Sequence, residues 1–254
     1  MITIQKYLKA ASLEEAWNAN QKRPNRVLGG MGWMKMSSGN VSTAIDLSGL
    51  GLDQIEETDD AFIIGAMVTL RQFETHEGLE QYFHGAVRES VRHIVGVQFR
   101  NCATIGGSVW LRAGFSDPLT LLLALDCTVE LYQGGDQTVQ VPIAEFCRMK
   151  PDNSILTAVH IHKTGRQAAY QSFRNTETDF PVLAVAVSRL DSSYCAAVGA
   201  RPTRAMAVTA EQVDQLIEKA QTLPYGDNLR ASAEYRTMLA GVLIRRAAEE
   251  LERR

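Results

Sequence analysis

Two pairs of adjacent glycines, Gly29-Gly30 and Gly106-Gly107, each close a strand-and-helix unit, and they restrict what this chain can be. Main chain at such a pair approaches a ligand, or other main chain, at a distance that any Cβ would block. Around the second pair, Gln98-Phe99-Arg100-Asn101-Cys102-Ala103-Thr104-Ile105-Gly106-Gly107-Ser108 sets the hydroxyls of Thr104 and Ser108 on either side of the gap. The first pair lies in Arg26-Val27-Leu28-Gly29-Gly30-Met31-Gly32-Trp33, directly after a β-prone run. Consecutive N–H groups in such a turn form an anion-binding concavity, and two facing turns suit a diphosphate. Neither pair fits G-x-G-x-x-G or G-x-x-x-x-G-K-[ST], so a Rossmann dinucleotide fold and a P-loop are both unsupported.

The remaining pattern divides the chain. Residues 2–7 alternate as a strand, and Ser12-Leu13-Glu14-Glu15 has capping-box spacing for a helix that stops before Pro24. Further strands are expected over 42–47 and in the apolar run 61–66. Helical spacing then spans 79–95, interrupted at Gly85. Ser116-Asp117-Pro118 opens an apolar helix over 119–125, and a hairpin is expected around Gly134-Gly135-Asp136. Met149-Lys150-Pro151-Asp152-Asn153 reads as a linker. Beyond it, strands at 155–162, 167–173, 181–190 and 194–200 precede two amphipathic helices, the first capped near Thr209 to Gln212. This order implies an α+β protein: a first domain over 1–150, split near residue 56 into two α/β subdomains, and a second over 151–254 with an antiparallel sheet of three or four strands and helices.

With a net charge of −3 spread over 254 residues, the chain presents no surface suited to nucleic acid or membrane. No secretory h-region or spanning segment is apparent, so a cytoplasmic protein is expected. Cys102, Cys127, Cys147 and Cys195 are isolated, which argues against an iron–sulfur cluster or zinc within this chain. His160 and His162 share a strand face but lack further ligands nearby, so no metal site is assigned. No side-chain acid–base dyad stands out either, and no catalytic residue is assigned.

Taken together, Gly29-Gly30, Arg100-Asn101 through Ser108, Ser116-Asp117 and the helix after it resemble the FAD-binding subunit of the molybdenum hydroxylases, the xanthine dehydrogenase and carbon monoxide dehydrogenase flavoprotein family. Phe173-Arg174, Asp179-Phe180, Gly199-Ala200-Arg201-Pro202-Thr203-Arg204 and Arg230-Ala231-Ser232-Ala233-Glu234-Tyr235-Arg236 resemble its C-terminal domain. The resemblance implies a vanillyl-alcohol-oxidase-like (PCMH-type) FAD domain that holds FAD non-covalently. Leu28, Gly29, Gly30, Met31, Gly32 and Trp33 would wrap the diphosphate; Thr104, Ile105, Gly106, Gly107 and Ser108 would face them. Ser116 and Asp117 would hold the sugar or ribityl portion, and Arg174 would lie near the flavin ring. It further implies a molybdopterin-binding large subunit and a small subunit with 2Fe-2S clusters as partners, and NAD+ as electron acceptor. The chain departs from the family at Met31 and Gly32, where a threonine and a polar residue are usual, and at Ser108 in place of asparagine. Those departures motivate an alternative, a structural adaptor whose FAD binding has weakened or been lost.

Overall fold

The computed structural model describes every residue except 136, so Asp136 of the expected hairpin turn lies outside the described residues. The chain begins as β1 (Ile2–Lys9), α1 (Leu13–Asn20), β2 (Arg26–Leu28) and β3 (Gly39–Asp46), with a short 3-10 turn at Met34–Met36. Ser12 caps α1 by accepting a hydrogen bond from the Glu15 amide, as its spacing predicts. The three strands form a parallel sheet in the order β1-β3-β2. Its C-terminal edge delivers the first glycine turn.

The second unit is a five-stranded antiparallel sheet, ordered β4-β5-β8-β6-β7, built from β4 (Ile55–Glu57), β5 (Ala61–Gly65), β6 (Cys127–Tyr132), β7 (Thr138–Pro142) and β8 (Ile155–His162). Between β5 and β6 run six short helices: α2 (Leu70–Thr75), α3 (Glu77–Phe83), α4 (Ala86–Val91), α5 (Val97–Arg100), α6 (Ile105–Trp110) and α7 (Asp117–Ala124). The helical spacing over 79–95 is thus realised as two helices, broken at His84 and Gly85. A single turn, α8 (Ile143–Phe146), precedes β8. Here the structure corrects the sequence reading: the strand at 155–162, assigned to the second domain, is the middle strand of the first domain's sheet. A boundary at 150 would cut that sheet. The linker motif misled because its Pro and Asn only mark a loop that returns to the same sheet.

The C-terminal lobe is a four-stranded antiparallel sheet, β12-β11-β10-β9, formed by β9 (Gln167–Phe173), β10 (Leu183–Leu190), β11 (Ser193–Gly199) and β12 (Met206–Ala210), followed by α9 (Val213–Gln221) and α10 (Ala233–Glu252). Thr209, expected at a helix cap, lies in β12, and α9 starts after Gln212 without a side-chain cap. Alternate residues serve opposite faces, as the two-residue period of a strand requires. Ala169, Val185, Val187, Ala196 and Val198 join the core beneath α9 and α10, while Tyr170, Ala184, Ala186 and Ala197 join the large core shared with the first lobe. That shared core is centred on α7, in which every residue is buried. A helix apolar on all sides needs neighbours on all sides, and α7 has α4, α6 and α8 on one flank and β10, β11 and β12 on the other. No helix among the described residues is long and apolar enough to cross a membrane.

The bend leading to the second glycine pair is held by a buried ion pair. Arg100 donates to Glu74 through Nε at 2.9 Å and Nη2 at 3.2 Å, and through Nη1 to the Ile94 carbonyl. Burial pushes the Glu74 carboxyl up, but the guanidiniums of Arg100 and Arg71 together hold it below its ordinary value. Its stabilisation is therefore complete above the ordinary glutamate pKa of about 4.3 and is lost as pH falls through the depressed native value. Glu74→Gln should remove this acid-sensitive component, leaving a flatter loss of stability below pH ~4 than in the wild type, and should cost about 3 kcal/mol at neutral pH by stranding Arg100. Urea titrations at several pH values measure both effects.

Candidate functional site

A cleft of about 1100 Å³ runs between the first lobe and the edge of the C-terminal sheet. Of the residues singled out by sequence, Leu28, Gly29, Gly32, Trp33, Thr104, Gly106, Gly107, Ser108, Ser116, Asp117 and Arg174 all line it; Gly30, Met31 and Ile105 do not. The two glycine turns do face each other. A Cβ on Gly29 would lie 3.0 Å from Thr104 Oγ1 and 3.3 Å from the Gly107 Cα, and one on Gly107 would lie 3.2 Å from the Gly29 carbonyl. Gly30 has φ +59°, and a Cβ there would stand 1.8 Å from the Cys102 carbonyl oxygen. Main chain therefore meets main chain with room only for hydrogen.

The two turns are not equivalent. In the second, every early amide is already engaged: Ile105 donates to Val68 O, Gly106 to Ala66 O, Gly107 to Thr104 Oγ1 and Ser108 to Thr104 O. Ser108 Oγ turns back to the Thr104 carbonyl at 2.9 Å, and Ser116 Oγ donates to the Ser108 carbonyl at 3.0 Å while capping α7. The Thr104 hydroxyl accepts from Gly107 and keeps a proton to offer the cleft. In the first turn, the amides of Gly32 and Trp33 donate to no backbone acceptor among the described residues. The first turn thus keeps backbone donors free, and the second shapes the gap. Gly106 lines the cleft, and its missing Cβ also makes room for Ala66, whose carbonyl oxygen would be 2.5 Å away.

Asp117, the first residue of α7, is buried and joins the two lobes. Its Oδ1 accepts from the Tyr170 hydroxyl at 2.5 Å and from Arg174 Nη2 at 2.6 Å. Burial pushes its carboxyl above the usual range, while Arg174 and Tyr170 pull the other way; burial beside this carboxylate sends the Tyr170 hydroxyl well up. Arg174 also donates to the Asp179 carbonyl, and its buried Nε finds no acceptor among the described residues. Arg174 is therefore largely neutralised by Asp117, a pairing that neither residue's sequence context reveals.

Trp33 is 49% exposed rather than part of the core. It meets Phe115 at 5.3 Å and Phe180 at 5.9 Å between ring centroids, forming an aromatic wall across the cleft mouth. Phe115 carried no signal in the sequence beyond its neighbour Ser116, and Phe180 entered only through the Asp179-Phe180 resemblance, without a site role. The Asp179–Arg230 ion pair, 2.7 Å, backs this wall.

A long cleft with a glycine-lined waist, free amides on one side and an aromatic wall at one end is shaped for a dinucleotide bearing a planar ring system. Residues 2–163 match the FAD binding domain in molybdopterin dehydrogenase, and the chain belongs to that family. It is 27% identical over 273 residues to the nicotine 6-hydroxylase medium subunit of Paenarthrobacter nicotinovorans, covering 96% of each chain. Identity to the carbon monoxide dehydrogenase medium chain of Afipia carboxidovorans is 28% over 243 residues, covering 83% of this chain and 81% of that one. The fold matches a chain of the carbon monoxide dehydrogenase of Hydrogenophaga pseudoflava with a TM-score of 0.86 at 21% identity, covering 98% and 97% of the two chains. The protein is thus an FAD-binding medium subunit of the molybdenum hydroxylase class, an oxidoreductase component.

Three consequences can be measured. Gly106→Val should lower stability by at least 1–3 kcal/mol, the usual cost of overpacking, because the added side chain meets backbone. Gly107→Ala, on a helix, should leave the thermal midpoint nearly unchanged yet weaken FAD binding about tenfold by pushing the two turns apart, a loss of about 1.4 kcal/mol. Calorimetry and flavin titration separate the two. Arg174→Met should strand the buried Asp117 and cost about 3–5 kcal/mol at neutral pH. Because the uncompensated carboxyl then takes up a proton in the native state, part of that loss should return as pH falls toward the ordinary aspartate pKa, which chemical denaturation at pH 7 and pH 5 would show.

Proposed function

We propose that this chain is the flavoprotein subunit of a cytoplasmic, three-component molybdenum hydroxylase resembling xanthine dehydrogenase. In this reading it takes electrons from 2Fe-2S clusters on a small subunit, fed by a molybdopterin-binding large subunit, and passes them to NAD+. The observation that carries the cofactor role is the close approach of Gly29 and Gly107 at the waist of the cleft, bordered by main chain and the Thr104 hydroxyl. Bound there, FAD supplies the conversion between two-electron and one-electron transfer. The chain's residues bind and orient it: the Gly32 and Trp33 amides would face the diphosphate, Thr104 would donate its hydroxyl, and the Trp33–Phe115–Phe180 wall would shield the ring from water. Arg174 Nε, buried and unpartnered, would donate to an acceptor at that end of the cleft. No acid or base is required of the protein for electron relay. NAD+ as acceptor and a heterocycle as the partner's substrate follow from the resemblance to xanthine dehydrogenase; the relatives named for nicotine and carbon monoxide lend the acceptor no weight.

A structural adaptor is the second reading, and one feature favours it. The amides of residues 105–108 and the hydroxyls of Ser108 and Ser116 are all spent within the chain. The complex purified with both partners should carry one flavin per medium subunit and reduce NAD+ when the partner's substrate is added. A complex that releases no FAD on denaturation, even after incubation with the cofactor, would establish the adaptor. A flavin-loaded complex that reduces dyes but not NAD+ would remove the acceptor while keeping the flavin role.

A further inference from the structure

His93 borders the same end of the cleft as Asp117, Arg174 and Phe180, and nothing in the site's architecture uses it. It follows α4 and is one-fifth exposed, with its Nε2 3.8 Å from Glu89 and its Nδ1 3.9 Å from Glu177. Neither distance is a hydrogen bond, so both ring nitrogens are within reach of a carboxylate without being committed to one. The charged groups facing it are Glu89 and Arg92 from α4 and its end, Arg174 and Glu177 from the segment after β9, and Asp117 from α7. Burial and the nearby guanidiniums Arg92 and Arg174 hold its imidazole below the ordinary histidine value, against the pull of the two glutamates.

Resting on the proposed FAD site, we infer that His93 takes up a proton from solvent when the bound cofactor gains negative charge. The reasoning is electrostatic. The cleft end already balances Arg174 against Asp117, so added electrons bring charge with no fixed cation left to answer it. An imidazole in the cleft wall, with a carboxylate near each ring nitrogen, is the group whose charge can change in response. The balance is two electrons received by the cofactor and one proton moved from water onto the imidazole, in addition to any proton the cofactor itself binds. The neighbouring carboxylates then stabilise the imidazolium. The flavin ring is assigned to this end because the aromatic wall and the unpartnered Arg174 Nε are both here.

The test is the pH dependence of the flavin midpoint potential in the purified complex, together with proton uptake on reduction read by an indicator dye. In the wild type, between the His93 pKa values of the oxidised and reduced forms, the reduction equilibrium should change by an extra tenfold per pH unit compared with His93→Gln. For a two-electron couple this is about 30 mV per pH unit. Within that window the variant should take up as much as one proton fewer per flavin. Glu177→Gln, at an exposed position, should move the window to lower pH without abolishing it. A flavin-loaded His93→Gln complex with the wild-type slope and proton count would overturn this inference and leave the FAD site standing. A complex that takes up no flavin would overturn both.

Discussion

Where residues 29 and 30 pass residues 102 to 107, main chain touches main chain, and the rest of the site is arranged around that contact. Neither turn could carry side chains without being forced apart by a few tenths of an ångström at Gly29 and Gly107, or much more at Gly30. The contact fixes the first turn so that its uncommitted amides border the cleft. It also joins the small parallel sheet to the helices of the second unit, a junction otherwise made by few elements.

Buried charge holds this geometry in place. Arg100 and Glu74 set the bend that presents the second turn; Asp117, Tyr170 and Arg174 hold α7 against β9, so the wall of the cleft and the edge of the C-terminal sheet keep one spacing. Removing either partner strands a charge, whereas an apolar replacement of both could be as stable. Their value here is positional. Arg236, fully buried, does similar work in the C-terminal lobe, donating to the carbonyls of Val182, Gly226 and Ala231 and so gathering two loops around the start of α10.

Much of this was legible in the residues. The Ser12 cap, the apolar run of α7 and the hairpin around Gly134 and Gly135 all follow from local pattern, because each depends on neighbours in sequence. What escaped depended on partners far away. The strand at 155–162 has the same composition whichever sheet receives it, so its pairing with β5 and β6 left no local trace. Glu74 is an ordinary helix residue until Arg100 reaches it, and Trp33 among methionines reads as core until the fold leaves it half exposed. Gly106 and Gly107 look alike as a pair, yet one makes room for the sheet behind and the other for the turn in front.

The return of β8 into the first sheet leaves only residues 163–166 to cross from one lobe to the other before β9 begins. So short a tether, together with α7 packed between the two lobes, couples them closely. Hybrids that exchange C-terminal lobes between related subunits therefore have a natural seam at that crossing, and a seam at the proline-bearing loop near residue 151 would remove the middle strand of the five-stranded sheet it was meant to spare.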